Sequence, residues 1–306
     1  MAHVGRLLTA MLTPFHEDGE VNHEAAQHLA RLVVGDGSDG LVLAGTTGEA
    51  PTLSDAEKLQ LIRAVKEAVP TAQVVAGTGT NDTRHSIHLS EQAMAAGADA
   101  LLAVVPYYNK PTQEGMFQHF RAIAEVGPVI MYNIQGRTAV NMTADTTLRC
   151  GSLAGVIGVK EASGNIEQMT MVCAGASDSF RVWSGDDGFT LPLLAVGGYG
   201  VISVSGHLAG RAFQRMIQAH LEGRPAEAAA LAQRLQPLIN ALMSIAANPI
   251  PLKTAMNQLG FPAGPFRLPL TPLDAAAAER LSEAVARAGD LISFRAGIAA
   301  TSGLSS

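Results

Sequence analysis

The stretch of sequence that decides the fold is GLVLAGTTGEAPTLSDAEKLQLIRAV, residues 40–65. It opens with a nearly continuous apolar run, Gly40–Gly45, which is typical of a strand buried on both faces of a parallel sheet. A glycine-rich turn follows the run. Ser54 then precedes a segment with glutamate at its third position, Glu57, and this spacing predicts a capping box at the start of a helix. The stretch therefore predicts one strand followed by one helix.

The same pattern of a short apolar run and a longer helix-compatible segment recurs along the first 210 residues. Eight runs begin about 20 to 33 residues apart, which is the spacing of strands that alternate with helices. The predicted strands are Leu7–Leu12, Gly40–Gly45, Gln73–Gly79, Ala100–Pro106, Pro128–Asn133, Val156–Glu161, Phe180–Gly185 and Gly200–Ser205. We therefore predict an α/β fold, a (β/α)8 TIM barrel, over residues 1–210.

Beyond residue 210 the sequence contains no convincing strand. Ala- and Leu-rich segments there predict helices instead. The predicted helices are Arg211–Leu221, Ala226–Met243, Pro251–Leu259 and Leu273–Leu291. We expect residues 211–306 to form a C-terminal helical extension that packs on the barrel as part of the same structural unit. The small, polar tail Ala299–Ser306 is expected to be frayed.

Composition excludes several classes of protein. Apolar residues make up 47% and charged residues 16%, which is typical of a globular protein and not of a disordered one. The formal net charge of −6 argues against nucleic acid as the main partner. No run approaches the roughly 20 apolar residues that span a bilayer, and no signal peptide is recognisable. With only two cysteines, Cys150 and Cys173, we expect a cytoplasmic protein with buried thiols.

Active sites of such barrels lie at the carboxyl ends of the strands, so the residues there are the candidates for catalysis. Lys160 closes an apolar run, where a lysine must point into the barrel mouth or be buried. Burial makes an amine nucleophilic, so Lys160 could form a Schiff base with a carbonyl substrate, the alternative being a solvated surface charge. Tyr132 ends the preceding strand beside Lys160, where its phenol could shuttle protons or only fill space.

Two further segments could hold carboxylates. The turn Gly45–Gly48 offers two hydroxyls and accessible backbone amides, although it could be only a tight turn. Arg137 lies just beyond the fifth strand and could clamp a second carboxylate, unless it is an ordinary surface side chain.

Cofactor and metal sites are not predicted. Gly77-Thr78-Gly79 lacks the third glycine of a dinucleotide fingerprint. His85 and His88 have no partner at metal-ligand spacing. Asp186-Asp187 fit a turn that caps the next helix better than they fit a divalent metal site.

Taken together, these segments resemble the dihydrodipicolinate synthase family of the N-acetylneuraminate lyase superfamily. The motifs that carry the resemblance are GTTGEAPTLS (45–54), AGTGTND (76–82), PYYNKPTQEG (106–115), GVKEASGN (158–165), WSGDDG (183–188) and GGYGVISVSG (197–206). The resemblance implies the condensation of pyruvate with L-aspartate-4-semialdehyde, a step toward diaminopimelate and lysine. It also implies that no metal or organic cofactor is needed.

The resemblance further implies roles for single residues. Lys160 matches the Schiff-base lysine, and three hydroxyl residues match a proton relay. The residue that matches Tyr108 comes from a second copy, because members of the family are mostly dimers of dimers. The matched catalytic residues are Lys160, Tyr132, Thr46 and Tyr108. The matched substrate-binding residues are Thr47 and Gly48 for the pyruvate carboxylate, Arg137 for the semialdehyde carboxylate, and Ile202, whose carbonyl would lie near the imine.

Two departures from the family pattern bear on substrate placement and regulation. Gln135 and Ala139 stand where the loop around Arg137 usually has proline and glycine. Lys58 and His85 stand where lysine-inhibited members use a His or Glu and a Glu to hold free lysine. Since a cation there would repel the ammonium group of lysine, we predict weak or no feedback inhibition.

Two alternative functions remain at this point. The first is an aldolase or lyase of a 2-oxo sugar acid, which would share Lys160 and Tyr132. Thr47, the pair Tyr107-Tyr108 and Arg137 favour the synthase over it. The second is a catalytically silent barrel that binds or senses a ligand, which the intact set of catalytic residues argues against.

Overall fold

The computed structural model describes residues 4–294, so the tail Ala299–Ser306 lies outside the described residues. Eight parallel strands pair in sequence order, and the last pairs with the first, which closes the sheet into a barrel. The strands are Leu7–Ala10 (β1), Gly40–Leu43 (β2), Gln73–Gly77 (β3), Ala100–Val104 (β4), Val129–Asn133 (β5), Val156–Glu161 (β6), Arg181–Ser184 (β7) and Gly200–Ser203 (β8). The predicted (β/α)8 barrel is confirmed.

All eight predicted strands are present, but five of them end two residues before the apolar run does. The reason is visible after β2, where Ala44 adopts a φ of 51° and turns the chain out of the ladder. The last apolar residues of such runs therefore belong to the strand-to-helix turns, which is where the site is built.

A β-bulge in β6 sets the direction of its side chains. Val129 pairs with Val156, but the next residue, Ile130, pairs with Gly158, so Ile157 is an extra residue. Val159 packs in the outer cluster between sheet and helices, which leaves Gly158 and Lys160 on the inner face. A Cβ at Gly158 would lie 2.6 Å from the Trp183 ring, so only glycine fits there.

Helices surround the barrel and continue beyond it. They are His23–Gly35 (α1), Asp55–Ala68 (α2), Thr83–Ala95 (α3), Gln113–Ala124 (α4), Gln135–Thr138 (α5), Ala144–Gly151 (α6), Ile166–Gly175 (α7), Thr190–Ala195 (α8), Gly206–Leu221 (α9), Pro225–Ser244 (α10), Ile250–Gln258 (α11) and Ala275–Ala288 (α12). The capping box predicted at Ser54 is confirmed. Between residues 4 and 294 there is no helix whose length and hydropathy would let it cross a bilayer.

The four predicted C-terminal helices are present with shifted ends. The first begins at Gly206, five residues earlier than predicted, so the division at residue 210 falls inside α9. Leu252 of α11 and Leu281 of α12 belong to the same buried cluster as Leu7 of the barrel. We propose on this basis that barrel and extension form one structural unit.

Candidate active site

Lys160 and Tyr132 lie side by side at the carboxyl ends of neighbouring strands. They are paired in the register of β5 and β6, and the Lys160 Nζ lies 4.4 Å from the centroid of the Tyr132 ring. Each residue is only 5% exposed. Gly185, just after β7, leaves room for the lysine, since a Cβ there would lie 3.1 Å from its Cγ and Cε. The structure thus places a buried amine beside a buried phenol.

The surroundings of this pair set its protonation. Burial lowers the pKa of the Lys160 amine to about 8, although the carboxylate of Asp187 opposes that shift. Burial also raises the pKa of the Tyr132 phenol to about 12, and a hydrogen bond with the Thr46 side chain opposes the rise. A useful fraction of the lysine is therefore neutral near physiological pH, while the tyrosine keeps its proton.

The turn after β2 places Thr46 in the lining of the barrel cavity and buries Thr47 behind it. Thr47 is 2% exposed, and its Oγ1 accepts a hydrogen bond of 2.9 Å from the Asn248 Nδ2. The Gly48 carbonyl accepts a hydrogen bond of 2.7 Å from the Thr13 hydroxyl. A Cβ at Gly48 would lie 3.1 Å from the Met11 carbonyl oxygen, so this close approach favours glycine.

A buried ion pair supports that turn, and the sequence analysis did not identify it. Glu49, at a φ of 55°, accepts a hydrogen bond of 2.8 Å from the Lys253 Nζ, and neither side chain is more than 1% exposed. The same amine donates to the Thr13 carbonyl at 3.1 Å and lies 4.0 Å from the centroid of the Phe15 ring. The signal in the sequence was a single lysine on the buried face of the predicted helix Pro251–Leu259.

Arg137 lies on the rim and is held by a backbone carbonyl of a segment distant in sequence. Its Nη2 donates a hydrogen bond of 3.0 Å to the Asn248 carbonyl, and the residue as a whole is exposed. Ala139, which ends the short helix α5, has a φ of 59°. This is the conformation that glycine adopts readily, and it costs an alanine about 1–2 kcal/mol. The loop therefore keeps its shape despite the absence of glycine.

A cavity of about 530 Å3 connects these groups with a more distant cluster. Its lining includes Thr46, Tyr132 and Arg137 together with Lys58 and His85. Lys160 is not part of the lining. Within residues 4–294, no three His, Cys, Asp or Glu side chains are grouped as a metal ion would require.

Comparison with known proteins identifies the family. A sequence model described as the dihydrodipicolinate synthetase family matches residues 3–288. The chain belongs to this family. The 4-hydroxy-tetrahydrodipicolinate synthase of Moorella thermoacetica is 52% identical over 288 residues, which cover 93% of this chain and 98% of the relative.

Solved structures of the dihydrodipicolinate synthetase family superpose closely on this chain. The enzyme from Cyanidioschyzon merolae, solved with lysine bound, gives a TM-score of 0.91 at 45% identity and covers 93% of this chain and 98% of its own. A family member described as a monomeric variant gives a TM-score of 0.91 at 37% identity, with coverages of 94% and 97%. The fold is therefore that of the family along nearly its whole length.

Two of the residues matched to the family, Tyr108 and Ile202, do not lie beside Lys160 and Tyr132 as exposed groups of the same site. Tyr108 is 89% exposed at a φ of 71°, so within one chain it does not join Lys160 and Tyr132. Ile202 is fully buried in the inner cluster of the barrel that also contains Tyr132.

The two aspartates after β7, Asp186 and Asp187, accept hydrogen bonds from different segments. Asp186 accepts a hydrogen bond from the Gly188 amide and caps the 3-10 turn Asp187–Phe189, as predicted. The capping interpretation is wrong for Asp187, which accepts hydrogen bonds from the amides of Val204 and Ser205 at 3.2 and 2.7 Å. Those amides follow β8, a pairing that the local sequence could not indicate. Asp187 is thereby fixed where its charge acts on Lys160.

Proposed function

We propose that this protein condenses pyruvate with L-aspartate-4-semialdehyde to 4-hydroxy-tetrahydrodipicolinate, through a Schiff base on Lys160. The observation that carries the proposal is the buried amine of Lys160, 4.4 Å from the Tyr132 ring, in a member of the dihydrodipicolinate synthetase family. Relatives between 46% and 52% identical carry the name of this synthase, which supports the choice of substrates.

The first half of the proposed reaction forms an enamine. The neutral Lys160 amine adds to the keto carbon of pyruvate, and the resulting carbinolamine loses water to give a protonated imine. Tyr132 passes the protons, assisted by Thr46 and by Tyr108 from a second copy. The imine then accepts the electron pair of a methyl C–H bond as its proton leaves, which produces the enamine.

The second half forms the new carbon–carbon bond and releases the enzyme. The enamine carbon attacks the aldehyde, whose own carboxylate is held by Arg137. Thr47 and the adjoining backbone amides hold the pyruvate carboxylate, and the Ile202 carbonyl lies near the imine. Attack of the substrate amine on the imine carbon then closes the ring and frees Lys160.

The proposal includes a homo-oligomer, a dimer of dimers. Its support is Tyr108, which is 89% exposed in one chain although the family pattern places it in the proton relay. A second copy that covers this tyrosine would complete the relay. We also propose a cytoplasmic location, because both cysteines, Cys150 and Cys173, are free thiols.

Borohydride trapping tests the Schiff base directly. Incubation with pyruvate and borohydride should add one reduced pyruvyl group, which peptide mapping places on Lys160. Lys253 provides an internal control, because its amine is buried but paired with Glu49 and should stay unmodified. Lys66→Arg should be trapped like the wild type, whereas Lys160→Arg should not be trapped.

A coupled assay with purified semialdehyde tests the second substrate. We expect turnover with pyruvate and L-aspartate-4-semialdehyde, and none when Lys160 is replaced. Condensation with a sugar aldehyde but not with the semialdehyde would instead support the 2-oxo sugar acid aldolase. The absence of any adduct would support a catalytically silent barrel.

A further inference from the structure

Asn248 contacts both residues to which the proposed function assigns a substrate carboxylate. Its Nδ2 donates to the Thr47 hydroxyl at 2.9 Å, and its backbone carbonyl accepts from the Arg137 guanidinium at 3.0 Å. Thr47 lies in the turn after β2 and Arg137 in the short helix α5 after β5. Asn248 reaches both from the segment between α10 and α11. One residue thus joins the two halves of the site.

The contact with Thr47 leaves the hydroxyl in the right state to bind an anion. A threonine hydroxyl has one proton to donate and two lone pairs to accept. Because the Asn248 amide uses a lone pair, the hydroxyl proton remains available to a substrate carboxylate. The bond is fully buried, so water does not compete for it.

The contact with Arg137 fixes the guanidinium without consuming its binding face. The Nη2 group donates one hydrogen bond to the carbonyl. Four N–H donors of the guanidinium remain, enough for a bidentate contact with a carboxylate. The carbonyl cannot be removed by mutation, but its position depends on how firmly the side chain of Asn248 is held.

The segment that carries Asn248 is itself held firmly. Asn248 is 8% exposed, and five residues later Lys253 of α11 makes the buried ion pair with Glu49. The segment is therefore attached at two points to the turn that contains Thr47.

We infer that Asn248 is a positioning residue that couples the two carboxylate sites, so that the keto-acid site and the aldehyde site are set together. The inference rests on the proposed function. It predicts that a change at Thr47, which lies in the keto-acid site, also weakens binding of the aldehyde substrate. A merely structural asparagine would not produce that effect.

The test is a double-mutant cycle read out as the KM for the semialdehyde. Thr47→Val and Asn248→Ala should each raise this KM, by about threefold to tenfold, and the double variant should raise it no further than the larger single effect. Thr47→Ser, which keeps the hydroxyl, should recover most of the loss. Thr170→Val, at an exposed threonine of α7, is the matched control and should leave the KM unchanged.

The possible results separate this inference from the proposed function. If Thr47→Val changes only the KM for pyruvate, or if the two single effects multiply in the double variant, the coupling is refuted. If the wild type forms no pyruvate adduct or does not turn over the semialdehyde, the proposed function fails instead. Should Asn248→Ala fail to fold, the response of the semialdehyde KM to Thr47→Val still decides the question.

Discussion

Lys160 shows how burial changes the protonation of a lysine side chain. Burial, with a smaller contribution from the Arg137 charge and against the opposing charge of Asp187, lowers the pKa of its amine to about 8, from an ordinary value of 10.5. Only the neutral amine attacks a carbonyl, so the initial rate of pyruvate adduct formation should rise with pH and level off above about pH 8. Quenched borohydride trapping over a pH series measures this profile. A rate that still rises tenfold per pH unit at about pH 9 would show an unshifted lysine.

Asp187 offers a second measurement on the same residue. Its carboxylate favours the charged form of Lys160, so Asp187→Asn should move the inflection of the pH profile to lower pH. The exposed Asp178→Asn is a matched control and should leave the inflection in place. A shift to higher pH in Asp187→Asn would contradict this account of the electrostatics.

At the scale of the elements, α11 supports the turn after β2 through the Lys253–Glu49 pair. Lys253→Met leaves a carboxylate buried without its partner, which should cost about 3–5 kcal/mol of unfolding free energy. Urea denaturation measures the loss. Arg287→Met removes the cation of an exposed pair with Glu283 and should change stability by less than about 0.5 kcal/mol. Equal losses in the two variants would show that burial of the pair does not matter.

The helices and strands also show which parts of the structure can be predicted from sequence alone. Strands such as β2 were predictable because both of their faces are buried, and Lys160 and Tyr132 could be placed together because consecutive strands of a barrel are neighbours. The extra residue Ile157 was not predictable, since a run of uniformly apolar side chains carries no alternation to reveal it. Asn248 and Lys253 were missed because their partners lie 201 and 204 residues away.

At the scale of the whole molecule, the cavity that contains Thr46 and Tyr132 is also lined by Asp55, Lys58 and His85. These three residues decide our prediction about inhibition by lysine. Within the lining of the cavity, Asp55 accepts a hydrogen bond of 2.7 Å from His85 and lies 3.5 Å from the Lys58 amine. The carboxylate is thus already satisfied, and Lys58 would repel an added ammonium group. We therefore predict that sub-millimolar lysine does not inhibit the enzyme.

An activity assay of the purified protein across a lysine titration tests this prediction. The comparison is the double variant Lys58→His/His85→Glu. The double variant should gain sensitivity to lysine, because it removes the cation and supplies a carboxylate. Inhibition of the unaltered protein by sub-millimolar lysine would refute the prediction.

The attachment of Asn248 and Lys253 to the turn after β2 has a consequence for biosynthesis of the protein. The ribosome completes that turn early, yet the side chains that secure it emerge some 200 residues later. A nascent chain therefore contains Lys160 well before the turn after β2 receives these two contacts. The turn after β2 is fully supported only when translation has nearly finished, so truncation before α11 should leave it unsupported.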